Sequence, residues 1–203
     1  MRLQSKRKGG GAPITVGRRD DSLGGLRRVT RRPVAPVALD DVDLALLSRL
    51  SVDSRISQRQ LARELGISAP TVGERLGRLE KGRLLRGYSI EVDWEMLGFV
   101  IPVYIAVTAA QGYDVADIMQ RLYVIPEVEA VSVVTGSQDL LVRLRVRDHA
   151  NLRDLLQDQI WQIPGMQRTE THVSVAEMPP KDYLRTLLAR MVDDRAGNNG
   201  DAG

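Results

Sequence analysis

The chain has no cysteine, one phenylalanine and only two histidines. Without thiols it forms no disulfide framework, no thiolate zinc site and no cysteine nucleophile. The two imidazoles, His149 and His172, fall near a helix start and on a strand, where they read as ordinary surface or packing residues. No nucleophile-elbow or phosphate-loop pattern accompanies them, so catalytic residues, bound metals and cofactors are all expected to be absent. No apolar run approaches the roughly 18 residues that a membrane-spanning helix needs. The basic N-terminus also lacks the apolar core of a secretory signal, and the expectation is a soluble cytoplasmic protein. Evenly spread charge is missing as well. The net charge is +3, yet residues 1–38 carry ten Lys/Arg against Asp20 and Asp21, which leaves the rest of the chain net negative by five. The isoelectric point of about 9.4 is therefore a property of the tail and is no argument in itself for nucleic-acid binding.

What is present is enough for a real core, with 203 residues of which 43% are hydrophobic. Residues 1–38, with Gly9-Gly10-Gly11, Gly24-Gly25, Pro33 and Pro36, show no sustained apolar period. They read as a disordered basic arm, serving either as extra phosphate contact or as a solvated tail. From Leu39 the pattern becomes helical. Asp40, with Asp43 as its capping partner, opens a helix bearing Leu44, Leu46, Leu47 and Leu50; Ser57 to Gln60 forms a second capping box ahead of Leu61, Ala62 and Leu65. Gly66 ends that helix, and Ser68 caps a third with Val72, Leu76 and Leu79 inward. A helix closed by glycine, a short turn and an immediate new helix is the sequence form of a helix-turn-helix.

In that form the third helix is the reader. The candidate DNA-binding residues are Ser57 and Gln58 at the start of the second helix, and Ser68, Ala69, Thr71, Gly73, Glu74, Arg75 and Arg78 on the third, with Thr71, Arg75 and Arg78 suited to phosphates or guanine edges. Eight Lys/Arg against three Glu fall between Arg55 and Arg86, so basic charge is local to this segment. Gly73 and Gly77 weaken the reader as a helix, by about 1 kcal/mol each relative to alanine. They either permit close approach to DNA or leave the helix to firm up on binding.

Beyond Leu85 the period becomes two. Tyr88, Ile90 and Val92 read as a strand leaving the helical domain, and 93–98 as a short connector. Strands over Ile101–Ala109, Val128–Val134, Leu140–Val146 and Arg168–Val175, with helices over Asp114–Tyr123 and Ala150–Ile160, follow in the order βαββαβ. The fold class is thus α+β: an N-terminal helix-turn-helix (winged-helix-like) domain and a C-terminal ferredoxin-like βαββαβ domain. The second sheet face, with Pro102, Tyr104 and Ala106 or their alternates in the first strand as candidates, is expected to be apolar and covered by a second copy. Arg143, Arg145 and Arg147 line one parity of the third strand, to hold an anionic ligand, to pair with acids of a partner, or to face solvent. Tyr183, Leu184, Leu187, Leu188 and Met191 suggest an amphipathic C-terminal helix, with a disordered end from Asp193. The expected domains are 1–38 (arm), 39–87 (helix-turn-helix), 88–100 (hinge strand and linker), 101–177 (effector binding and oligomerisation) and 178–203 (C-terminal helix and end).

Residues 39–175 resemble the leucine-responsive regulatory protein/AsnC (Lrp/AsnC) family of transcriptional regulators. The resemblance is carried by Leu39-Asp40 with Asp43, Leu46-Leu47, Leu50, Arg55, Leu61-Ala62, Leu65-Gly66-Ile67-Ser68, Val72, Arg75, Leu79-Glu80 and Gly87-Tyr88. In the second half it rests on Pro126-Glu127-Val128, Val134-Thr135-Gly136-Ser137-Gln138-Asp139 and Ile163-Pro164-Gly165. The resemblance implies a homodimer, often assembled to tetramers or octamers, that binds double-stranded operator DNA and responds to an amino acid or related small metabolite. It implies an effector site at Thr135, Gly136, Ser137, Gln138 and Asp139, where turn amides hold a carboxylate and Asp139 meets an ammonium. The chain departs from the family in placing Gly82 one residue before the usual glycine position, which Arg83 occupies, and in Gly73, Glu74 and Gly77 on the reader. Two other functions compete: a sequence-tolerant protein that compacts DNA, and a small metabolic enzyme on the ferredoxin-like domain.

Overall fold

The computed structural model describes residues 35–179 and 181–200, with side chains of the last helix described as far as Arg195. The arm expected over 1–38 lies outside the described residues except for 35–38, which form neither helix nor strand. The described residues divide into two compact units, one spanning Trp94–Val175 and the other built from residues 35–93 together with the described residues after Val175.

In the helical unit, α1 (Asp41–Val52) begins with a reciprocal cap. Asp40 Oδ1 accepts from the Asp43 N–H at 2.8 Å, and Asp43 Oδ2 accepts from the Asp40 N–H at 3.1 Å. For α2 (Gln58–Leu65) only half of the expected box forms: Ser57 Oγ accepts from the Gln60 N–H at 3.2 Å, but the Gln60 side chain donates to Glu64 at 3.1 Å instead of reaching back. Gly66 closes α2 at φ 67, the left-handed conformation that only glycine adopts at no steric cost. Two residues later Ser68 caps α3 (Ala69–Lys81), with its Oγ accepting from the Thr71 N–H at 3.2 Å. Leu46, Leu50, Leu61, Ala62, Val72 and Leu76 from all three helices form one buried cluster, so the i, i+4 apolar spacing of α3 sets which of its faces stays outward.

The α+β unit contains β1 (Ile101–Ala109), α4 (Val115–Tyr123), β2 (Val128–Val133), β3 (Leu140–Val146), α5 (His149–Leu155) and β4 (Met166–Val173). Its antiparallel sheet has the order β2-β3-β1-β4, the ferredoxin-like arrangement. The single helix expected over Ala150–Ile160 is α5 running into a π-helical turn over Leu156–Ile160. Val103, Ile105 and Val107 of β1 and Leu140, Val142, Leu144 and Val146 of β3 share one face with both helices. The opposite face is not the apolar surface expected. In register, Tyr104 stands between Arg143 and His172, and Ala106 stands between Leu141 and Glu170. Arg143 and Arg145 each meet Glu129 of β2 at 2.6 Å, so two of the three arginines in that row have an acid partner within the chain itself, while Arg147 lies over the Phe99 ring.

Two further expectations are corrected. Residues 88–92 form no strand, and Tyr88, Ile90 and Val92 are exposed at 50%, 76% and 40%. Alternation supplies a two-faced segment, but a strand also needs a neighbouring ladder, and no described segment pairs with this one. The C-terminal helix α6 (Tyr183–Gly200) continues through Asp193, where a disordered end was expected. It packs on α1: Leu188, 4% exposed, joins Leu44, Leu47 and Leu79, while Arg195 donates to the Leu39 carbonyl at 2.5 Å and meets Asp41 at 3.2 Å.

Candidate nucleic-acid interface

The short turn between Gly66 and Ser68 joins the end of α2 to the start of α3, and the helices pack so that Gln58 at the start of α2 lies against Gly73 within α3. Ser57 and Gln58 open α2, whereas Ser68, Ala69 and Thr71 form the cap and first turn of α3. Ser57, Gln58, Ser68 and Glu74 are exposed; Ala69, Thr71 and Gly73 are half-buried. The Thr71 hydroxyl lies 2.7 Å from that of Ser68, so the N-terminal turn carries its hydroxyls as a bonded pair. Gly73 has an internal reason for being small: a Cβ there would stand 3.1 Å from Gln58 Oε1. Gly77 has none, since nothing lies within 4 Å of where its Cβ would be.

Arg75 and Arg78 do not simply project outward, as the helical spacing alone suggested. Arg75 Nη1 donates to Asp40 at 2.6 Å and to Asp43 at 3.0 Å, and Arg78 Nη2 donates to Asp43 at 2.5 Å. The two carboxylates that cap α1 thus also hold the reader helix, from positions more than thirty residues earlier in the chain. Asp43 is the one buried charged side chain among the described residues, at 1% exposure. Burial by itself would raise its carboxyl pKa, but hydrogen bonds from Arg78, the Asp40 N–H and Arg75 outweigh this and hold it below the usual 3.8. Asp40 is held low chiefly by the Arg75 guanidinium, and Arg75 is raised chiefly by Asp40. An open cleft of about 510 Å³ lies between Leu39, Asp40 and Asp43 on one side and Thr71, Glu74 and Arg75 on the other. Sequence reasoning read Asp40 and Asp43 only as a helix cap; the local pattern carries no signal for their second role.

The shifted glycine at the helix exit does not take the left-handed position. Gly82 keeps φ −71, while Arg83 takes φ 56 and is the one non-glycine residue with positive φ among those described.

In the α+β unit, Thr135, Gly136 and Ser137 are exposed at the tip of the β2–β3 hairpin, with Gly136 at φ 129. Gln138 accepts from the Ser137 hydroxyl at 3.0 Å. Asp139 ties the turn to β1: its N–H donates to the Val107 carbonyl at 2.8 Å and its Oδ2 accepts from the Ala109 N–H at 2.9 Å. One carboxylate oxygen therefore already has a structural partner. Among the described residues no group of three or more His, Asp or Glu is placed to hold a metal ion, and no helix is long and apolar enough to cross a membrane.

Two family models match the chain: the AsnC-type helix-turn-helix domain over residues 39–80 and the Lrp/AsnC ligand binding domain over residues 102–183. The leucine-responsive regulatory protein of Haemophilus influenzae is 30% identical over 151 residues, covering 72% of this chain and 90% of that protein. An uncharacterized HTH-type transcriptional regulator of Pyrococcus horikoshii is 30% identical over 137 residues, covering 68% of this chain and 86% of that one. The feast or famine regulatory protein from M. tuberculosis, solved as a complex with L-methionine, superposes with a TM-score of 0.65 at 30% identity, covering 71% of this chain and 97% of that chain.

Proposed function

Because this chain belongs to the Lrp/AsnC family of transcriptional regulators, we propose that it binds specific operator DNA through α3 and adjusts that binding to an amino acid or related metabolite. The observation that carries the DNA reading is the helix-turn-helix itself, with Ser68 capping α3 two residues after Gly66 closes α2 and Gln58 of α2 lying against Gly73 of α3. Thr71 and Glu74 read base edges, while Ser57, Gln58, Ser68 and Ala69 meet the flanking backbone. Arg75 and Arg78 donate the guanidinium N–H groups left over from Asp40 and Asp43, so the acids aim them at the duplex while cancelling part of their charge. Gly73 serves by admitting Gln58.

The effector site is the hairpin turn Thr135–Asp139. Its amides take a ligand carboxylate, and the second oxygen of Asp139 takes an ammonium. The chain acts as a homodimer that assembles further, in the cytoplasm where its DNA is, and a ligand bound between dimers alters the spacing of reader helices. The genes it controls belong to amino-acid metabolism or transport.

Genome-wide footprinting with the full chain tests this, followed by titration of amino acids against the strongest site. Discrete protected half-sites about one helical turn apart are expected. Thr71→Ala with Glu74→Ala should lower the preference for that site over unrelated DNA by about tenfold or more. Uniform protection of all DNA, with no change in preference in the double variant, would instead make the chain a compacting protein.

A further inference from the structure

Arg83 stands two residues beyond α3 with φ 56, a backbone conformation that glycine enters freely and an L side chain enters at a cost. A glycine is adjacent, yet Gly82 occupies φ −71, which any residue adopts. Gly82 is small for another reason: a Cβ there would stand 3.1 Å from the Arg78 carbonyl oxygen. The turn therefore needs a left-handed residue at 83 and places an arginine there. The Arg83 side chain is exposed and has no hydrogen bond or ion pair to any described residue, so nothing among the described residues accounts for it. Lys81 and Arg86 are exposed and unpaired in the same sense.

This contrasts with the reader's own arginines, whose charge is shared with Asp40 and Asp43. Counterion release from DNA depends on cations that neutralise phosphates, and a guanidinium already facing a carboxylate contributes less. The exit of α3 is also well placed for phosphate. Lys81 lies about 15 Å along the helix axis from Thr71 at 1.5 Å per residue. The major groove is roughly 12 Å wide, so a helix whose first turn reads bases meets the duplex backbone near its far end.

We propose that Arg83 is a phosphate-binding residue of the DNA interface, kept in a left-handed backbone position so that, with Lys81 and Arg86, it grips the duplex where the reader helix leaves the groove. The assignment rests on the DNA reading of α3. Full-length Arg83→Gly and Arg83→Lys are compared with the unaltered chain by thermal midpoint and by affinity for two duplexes, the strongest footprinted site and an unrelated sequence of equal length. Salt is varied from about 50 to 200 mM. Arg83→Gly is expected to raise Tm, because glycine relieves the backbone, and to weaken both duplexes alike. Its slope of log affinity on log salt should be shallower by about 0.9 for each chain touching DNA, so that the deficit narrows across that salt range by about 3.5-fold for one such chain and about 12-fold for two. Arg83→Lys should keep the original slope. A lower Tm for Arg83→Gly, an unchanged slope, a loss confined to the specific site, or a slope for Arg83→Lys that matches the glycine variant each overturns the assignment. An unaltered chain that binds neither duplex overturns the DNA reading as well, whereas normal binding with an unmoved variant slope overturns this assignment alone.

Discussion

The two units of this protein are held together by different means. In the α+β unit seventeen buried apolar residues form one cluster between sheet and helices. The helical unit has two smaller clusters, of six and four buried residues, one of which needs Leu188 from the C-terminal helix. It also buries Asp43 against two arginines. Apolar burial is non-directional, so a large single cluster fixes a platform without specifying any one side chain. Charge-assisted hydrogen bonds are directional, and they are used where a helix must present particular groups at particular angles. The cost is that the helical unit depends on a few irreplaceable partners.

The sharpest break in that contrast comes from Arg75→Ala with Arg78→Ala, which leaves the Asp43 carboxylate buried and unpaired. The helical unit should lose about 3–5 kcal/mol, read as faster amide exchange in α1 to α3 with β1 and β3 unaffected. Loss of DNA binding in that variant would follow from unfolding alone, which is why Thr71 and Glu74 carry the functional test. Equal loosening of both units would erase the distinction.

Acid probes the same clasp. Asp40 and Asp43 have folded pKa values below the usual 3.8, so their stabilisation is complete above that value and is lost as pH falls through the lowered values. Exchange in α1 and α3 should therefore rise below about pH 4 before exchange in the sheet does. Asp43→Asn should flatten that dependence.

Leu188→Ala tests the contribution of the C-terminal helix and should destabilise the helical unit by about 2–4 kcal/mol in thermal or denaturant unfolding. Gly77→Ala acts in the opposite direction. With nothing near the new methyl group, α3 should gain about 1 kcal/mol. The smallest effect belongs to the α+β unit: Glu129→Gln weakens its pairs with Arg143 and Arg145, which are partly exposed, and should change stability by under about 1 kcal/mol.

Much of this architecture was legible in the residues. Asp40, Ser57, Ser68 and Gly66 marked helix ends because a cap is made with atoms two to four residues away. β1 and β3 matched their expected bounds because alternation with one buried face is written into each strand separately. The hairpin turn at Thr135–Asp139 was recognisable from the family resemblance, although the bond from the Ala109 N–H to Asp139 was not. Residues 88–92 show the limit: their alternation is genuine, but pairing is a property of two segments.

Taken alone, the order of amino acids determined most of the elements, their inward faces and the family to which they belong, since each depends on periodicities and caps a few residues long. Only the tertiary structure decided that Asp43 grips Arg75 and Arg78, that the far end of the chain completes the helical core, and that Arg83 rather than Gly82 takes the left-handed position. Those outcomes depend on which distant groups meet and on what space they leave, and no local pattern encodes either.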